Sequence, residues 1–268
     1  MVKYGFQTYT WQMSYEKYAG KMEHIADVTN RGGLKFVEAE ICMLGPWFDK
    51  PEQLKKELAE KNTELGALCL VCDWSAPEET GDETLLADRA IKFASDFQNL
   101  TLVLGQMPRP DRSNLSERQK NALACIGAVA KRAREAGTGR VVYHPNSPAG
   151  SVFRTYEDYR ILLDGLDFCR VGFAPDSGHI TKGGMNVYDI FKDYAPVIQH
   201  VHFKDIDAAG KWRVMGEGVT DFARITEILR FAGYDGYVMI EDESAEAEAD
   251  PDGVALKNAE YIKKYLSI

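Results

Sequence analysis

At 268 residues, 45% of them hydrophobic, the chain has the length of one closed α/β barrel, roughly 250 residues, and enough apolar material to fill its core. A net charge of −9 with no Lys/Arg run excludes a protein that grips a nucleic-acid backbone. Charges interrupt every apolar run, which excludes a membrane span, and the start Met1-Val2-Lys3-Tyr4-Gly5-Phe6 lacks the pattern of a secretory signal, so a cytoplasmic location is expected.

The first apolar run, residues 4–11, reads as a strand and leads into a helical pattern at 15–29. A second strand at 36–41 precedes a helix at 51–62, and a third at 65–71 precedes a helix at 83–96 with Asp82 as its expected N-cap. The strand at 100–105 is followed by a long helix at 116–136, with Asn114 and Glu117 expected to form a capping box and Gly137 to close it. Strands at 140–144 and 171–174 are followed by helices at 156–164 and 187–194. The last two units pair strands at 198–203 and 236–241 with helices at 221–231, closed by Gly233, and 253–265. Eight strand–helix units without a linker predict a single (β/α)8 TIM barrel over residues 1–268. A doubly wound open sheet fits less well, because the first strand leads into Thr10-Trp11-Gln12-Met13 and not into a Gly-rich turn.

The five cysteines are odd in number and scattered, as in a reduced compartment. Cys69-Leu-Val-Cys72 spells C-x-x-C, but inside a strand residues three apart point to opposite faces, so both are expected in the core.

In such a barrel the C-terminal ends of the strands converge on the active site. The fifth strand ends in Tyr143-His144-Pro145-Asn146, and the sixth leads to Asp176-Ser177-Gly178-His179. The seventh reads His200-Val201-His202-Phe203-Lys204-Asp205, and the eighth ends at Glu241. Period-two alternation sends Val201 and Phe203 toward the helices and His200, His202 and Lys204 toward the axis. The same rule turns Asp176 and Glu241 inward, together with Glu38 and Glu40 on the second strand. Imidazole nitrogens and carboxylate oxygens aimed at one axis are a divalent-metal environment, suited to Mn, Fe, Co, Ni or Zn better than to Ca. Glu40, nearer the strand end, is expected to bind substrate hydroxyls and Trp11 either to stack on the substrate or to take a core or rim position, while Lys204 has a plainer alternative in pairing with Asp205 or capping the barrel. His24, inside the first helix, is expected to be structural. The loop 211–218 could present the N–H groups of Gly216-Glu217-Gly218 to an anion, but its Glu argues for an unphosphorylated substrate.

Phe-Val-Glu38-Ala-Glu40, Asp176-Ser-Gly-His179, His200-Val-His202-Phe-Lys204-Asp205, Gly216-Glu217-Gly218 and Glu241 together resemble the xylose isomerase-like TIM-barrel superfamily. That group contains sugar isomerases and epimerases, inosose dehydratases and hydroxypyruvate isomerases. The resemblance covers essentially the whole chain and implies one divalent metal, manganese first, with cobalt, zinc, iron, nickel or magnesium as alternatives. It implies Asp176, His202 and Glu241 as ligands, and His179 and His200 as groups behind them or touching substrate. Ketose 3-epimerases place a glutamate at the end of the fifth strand; this chain has His144 there, as ligand or base, with Asn146 as the other candidate, expected to bind substrate.

The implied activity is isomerisation or epimerisation of a keto-sugar by proton abstraction next to its carbonyl. Dehydration of a keto-inositol or keto-sugar is the alternative, and a barrel that only binds a sugar a third. Glu241 or His144 would be the base, and His179, His200 or Lys204 the proton donor. The implied partner is a small carbohydrate; a homo-oligomer is possible, without an apolar stripe to name its interface.

Overall fold

Alternating strands and helices fold as the periodicity predicts. The computed structural model describes residues 2–266. Its barrel strands are β1 (Lys3–Gln7), β2 (Phe36–Glu40), β3 (Glu64–Cys72), β4 (Thr101–Gln106), β5 (Val141–Tyr143), β6 (Gly172–Phe173), β7 (Val201–Phe203) and β8 (Tyr237–Ile240). The helices between and after them are α1 (Met22–Arg31), α2 (Pro51–Glu60), α3 (Gly81–Ser95), α4 (Leu115–Glu135), α5 (Tyr156–Gly165), α6 (Val187–Asp193), α7 (Phe222–Phe231) and α8 (Pro251–Tyr265). All eight strands pair in parallel, in the order β6-β5-β4-β3-β2-β1-β8-β7.

Only a narrow seam joins the two ends of that order. Phe173 bridges Ile198, and Asp176 bridges His202. The Gln199 N–H donates to the Phe173 carbonyl and the His202 N–H to that of Pro175, each at 3.0 Å.

Two apolar layers follow from the alternation. Val37, Leu68, Leu102, Phe173, Val201, Phe203 and Ile240 face the helices. Inside the barrel Ala67, Cys69, Val103, Val142, Ala174 and Met239 form a floor beneath the polar groups. Cys69 thus lies inside and Cys72 outside, and all five cysteines are free. Where β2 meets β3 the register slips between Val37 and Glu38, a bulge of the kind that re-aims side chains near active sites.

Several boundaries differ from the sequence expectation, each for a local reason. The first helical pattern breaks into Tyr15–Tyr18 and α1, because Gly20 takes a left-handed φ of +74° and its N–H turns back to the Met43 carbonyl. Thr80, not Asp82, caps α3, in a capping box with Glu83. Asn114 does not cap α4 through its side chain: its φ of 50° is left-handed, whereas a capping side chain needs extended backbone. Gly137 and Gly233 take positive φ just beyond α4 and α7, as expected. Among the described residues no helix is long and apolar enough to cross a membrane.

Candidate metal centre

At the C-terminal ends of the strands lies a cavity of about 640 Å³, with His144, His179, His202 and Glu241 among its walls. His144, Asp176, His202 and Glu241 each offer one donor atom, and the four atoms lie within 4.8 Å of one another. His144 Nε2 stands 3.6 Å from Asp176 Oδ2, and His202 Nδ1 is 4.0 Å from that oxygen and 3.0 Å from Glu241 Oε2.

Local structure explains why Asp176 can serve. It is the N-cap of the short helix Ser177–Lys182, so its Oδ1 accepts the His179 N–H at 2.7 Å. Its Oδ2 is left buried without a hydrogen-bond partner, as is His144 Nε2. Two orphaned polar atoms side by side in a buried site are costly unless a proton or a cation joins them. Two imidazole nitrogens and two carboxylate oxygens fit a divalent ion such as Mn, Zn, Co or Fe.

Beneath this set, Glu38 holds both histidines of the H-x-H run. Its Oε2 is 2.6 Å from His200 Nε2 and its Oε1 2.9 Å from His202 Nε2. Burial works against its charge, but the two imidazoles hold its carboxyl down at about 2. An ionised carboxylate only accepts, so both Nε2 atoms carry hydrogen. His202 therefore turns Nδ1 toward the other donors. Burial opposes a proton on His202, but Glu38 and Glu241 raise it to about 10. That charge is the one a bound cation would replace. Glu38→Gln should weaken metal binding about 10–100-fold, since it loosens the group that orients a ligand. Competition titration with a metallochromic chelator checks this; an unchanged affinity would show that Glu38 does not orient His202.

Above the donors Lys204 is 99% shielded from solvent, and its ammonium donates to Glu241 Oε1 at 2.6 Å and to Glu243. Burial disfavours its charge, yet Glu241, Glu243 and Asp176 raise it well above the usual lysine range. His179 Nε2 is 3.3 Å from the same ammonium and its Nδ1 2.8 Å from Ser147 Oγ. Burial, and then Lys204, hold His179 down at about 3, so its ring is neutral. Burial likewise lowers His144. Glu40, on the cavity wall, accepts Gln7 Nε2 at 2.8 Å and is pushed up to about 7, first by burial.

The family model described as xylose isomerase-like TIM barrel matches residues 26–265. The chain belongs to the xylose isomerase-like TIM-barrel family. Within this family it is 31% identical over 244 residues to an inosose dehydratase of Clostridium botulinum, covering 80% of this chain and 81% of the relative. It is 29% identical to an inosose dehydratase of Lacticaseibacillus casei over 199 residues, which span 67% of this chain and 66% of the relative, just under two thirds of its length. The fold matches the crystal structure of the IolI protein with a bound zinc atom at a TM-score of 0.79 and 15% identity, covering 100% of both chains.

Seen as a family barrel, the chain places most of the residues singled out above around one cavity, and it corrects three expectations. Glu40, His144, Asn146, His179, His202 and Glu241 line it. Asn146 uses its amide on the Gln106 carbonyl (2.8 Å) and accepts the Ser151 hydroxyl. Trp11 is not a sugar platform: it sits on the short helix Tyr9–Gln12, fully buried, with its indole N–H on Asp252 at 2.7 Å. His24, structural as expected, holds the other oxygen of Asp252 at 2.8 Å. His200 does not reach substrate, because it lies one pleat below His202, fully buried against Glu38. Asp205 is not the partner of Lys204. Its carboxylate takes the N–H groups of Gly216 and Gly218 at 2.8 and 2.9 Å, so the chain's own carboxylate fills the cradle the loop could offer an anion. The residues that sequence reasoning passed over are Gln7, Lys182, Trp212 and Glu243, all on the cavity wall. Trp212 reaches it on an antiparallel ribbon, Asp205–Ile206 with Trp212–Arg213, and its place in the loop after the seventh strand was the available signal.

Proposed function

We propose that this chain is a metal-dependent dehydratase that removes water from a polyhydroxylated ketone, a keto-sugar or keto-inositol, beginning with proton abstraction next to the carbonyl. The observation that carries the reading is the Glu241–Lys204 pair: Glu241 stands on the cavity wall and in the four-donor cluster, and the buried Lys204 ammonium lies 2.6 Å from its Oε1. The similarity to proteins named inosose dehydratase supports the same choice.

His144, Asp176, His202 and Glu241 would hold the ion, with manganese proposed first and zinc next. Bound there, it would supply Lewis acidity toward the carbonyl oxygen. Glu241 takes the proton from the carbon beside the carbonyl. The electron pair of that C–H bond forms the new C=C bond as the neighbouring C–O bond breaks. Lys204 gives a proton to the departing hydroxyl, which leaves as water. Glu241 then returns its proton to Lys204 across their hydrogen bond, and no net charge or redox change remains. His179, neutral and tied to Ser147, keeps the ammonium beside Glu241.

An isomerase or epimerase on the same residues has one feature in its favour. His144 and Glu241 follow β5 and β8, so two groups able to carry a proton reach the cavity from separate strands. The experiment is to incubate the manganese-reconstituted protein with keto-inositols and ketoses in D2O and follow the products by NMR. Loss of water with a new unsaturated ketone is the expected result. Deuterium entering a recovered or rearranged ketose without loss of water would replace the dehydratase reading by the isomerase one. No exchange with any of these compounds would overturn both.

A further inference from the structure

The short helix capped by Asp176 ends at Lys182; its start belongs to the donor cluster and its last residue lines the cavity. At 1.5 Å per residue the two lie roughly 9 Å apart along the helix axis. The Lys182 ammonium rests 3.8 Å from the centroid of the Trp212 ring. That indole is itself fixed: it packs edge-on to His179, with centroids 5.5 Å apart. It also sits so close to Gly178 that a Cβ there would fall 2.8 Å from the ring. A cation over an aromatic face is held by its charge and spends none of its N–H donors. Among the described residues Lys182 has no ion-pair or hydrogen-bond partner for them. Glu243, the carboxylate that acts on it most, is already held by Lys204. The cavity thus contains an oriented ammonium with three unused donors, one helix length from the donor cluster.

Resting on the dehydratase reading above, we propose that Lys182 is a specificity residue that binds a carboxylate on the substrate, so that the natural substrate is an acidic keto-sugar with its acid group remote from the reacting carbonyl. A carboxylate suits the site better than a phosphate. One lysine balances one negative charge, and the backbone cradle after β7 that could have held a phosphate is filled by Asp205.

The test compares pairs that differ only in CH2OH against COO⁻, D-fructose with D-fructuronate and D-tagatose with D-tagaturonate, by calorimetric titration of the manganese-reconstituted protein. The wild type should bind the uronate of a pair at least about tenfold more tightly. Lys182→Met should erase that preference, and Lys182→Arg, which keeps the charge, should retain it. Equal affinities within each pair, or a preference that survives in Lys182→Met, would overturn the assignment of Lys182 and leave the dehydratase reading standing. If neither member of any pair binds, the keto-sugar reading falls with it.

Discussion

His202→Ala should yield a folded protein that no longer retains stoichiometric metal and turns over at least about 10³-fold more slowly, because several kcal/mol of charge stabilisation leave with the ion. His202 is the junction of the site: Glu38 holds one ring nitrogen at 2.9 Å and Glu241 lies 3.0 Å from the other. Removing the ring separates the buried Glu38 from the four-donor cluster and deprives that cluster of one of its two nitrogens. Elemental analysis after exhaustive dialysis, beside kinetics with excess manganese, reads both effects, and circular dichroism checks the fold. One metal per chain together with turnover within tenfold of the wild type would refute the assignment of His202.

Lys204→Met separates chemistry from metal binding. The variant should keep its metal but lose about 10²–10⁴-fold in turnover, the range of a positioned proton donor. It should also be less stable by about 3–5 kcal/mol, since Glu241 and Glu243 would lose the ammonium they share in a buried site. Denaturant titration gives the second quantity and metal analysis the control. Full turnover with intact metal would remove Lys204 from the mechanism, whatever the change in stability.

Period-two alternation was enough to recover the barrel and the inward face of β7, because burial on one side of a strand is written residue by residue. It does not encode height along the barrel axis. His200 and His202 share a face, yet two residues of strand rise, about 6.6 Å, place one beneath the floor of the cavity and the other in its wall. Trp11 takes the core position, not the substrate contact, for a related reason: the strand ends four residues before it, at Gln7, and a short helix carries the ring into the core. Lys182 and Trp212 lie beyond the barrel strands, where the path of the chain depends on contacts that no local pattern announces. The helix limits that moved did so at single residues, Gly20, Thr80 and Asn114, whose backbone angles or side-chain bonds are settled by neighbours.

The bridge between Asp176 and His202 spans the seam where the sheet meets itself. Two of the four donors therefore stand on opposite banks of the gap that the described residues leave in the ring, which few backbone bonds hold shut. An ion gripping both banks would act as a clasp. By mass action, a concentration one hundred times its dissociation constant adds about 2.7 kcal/mol to the closed form. For this chain, metal supply and ring closure would be linked: an ion held on both banks would favour the closed ring over one that bares the edges of β6 and β7 to other strands.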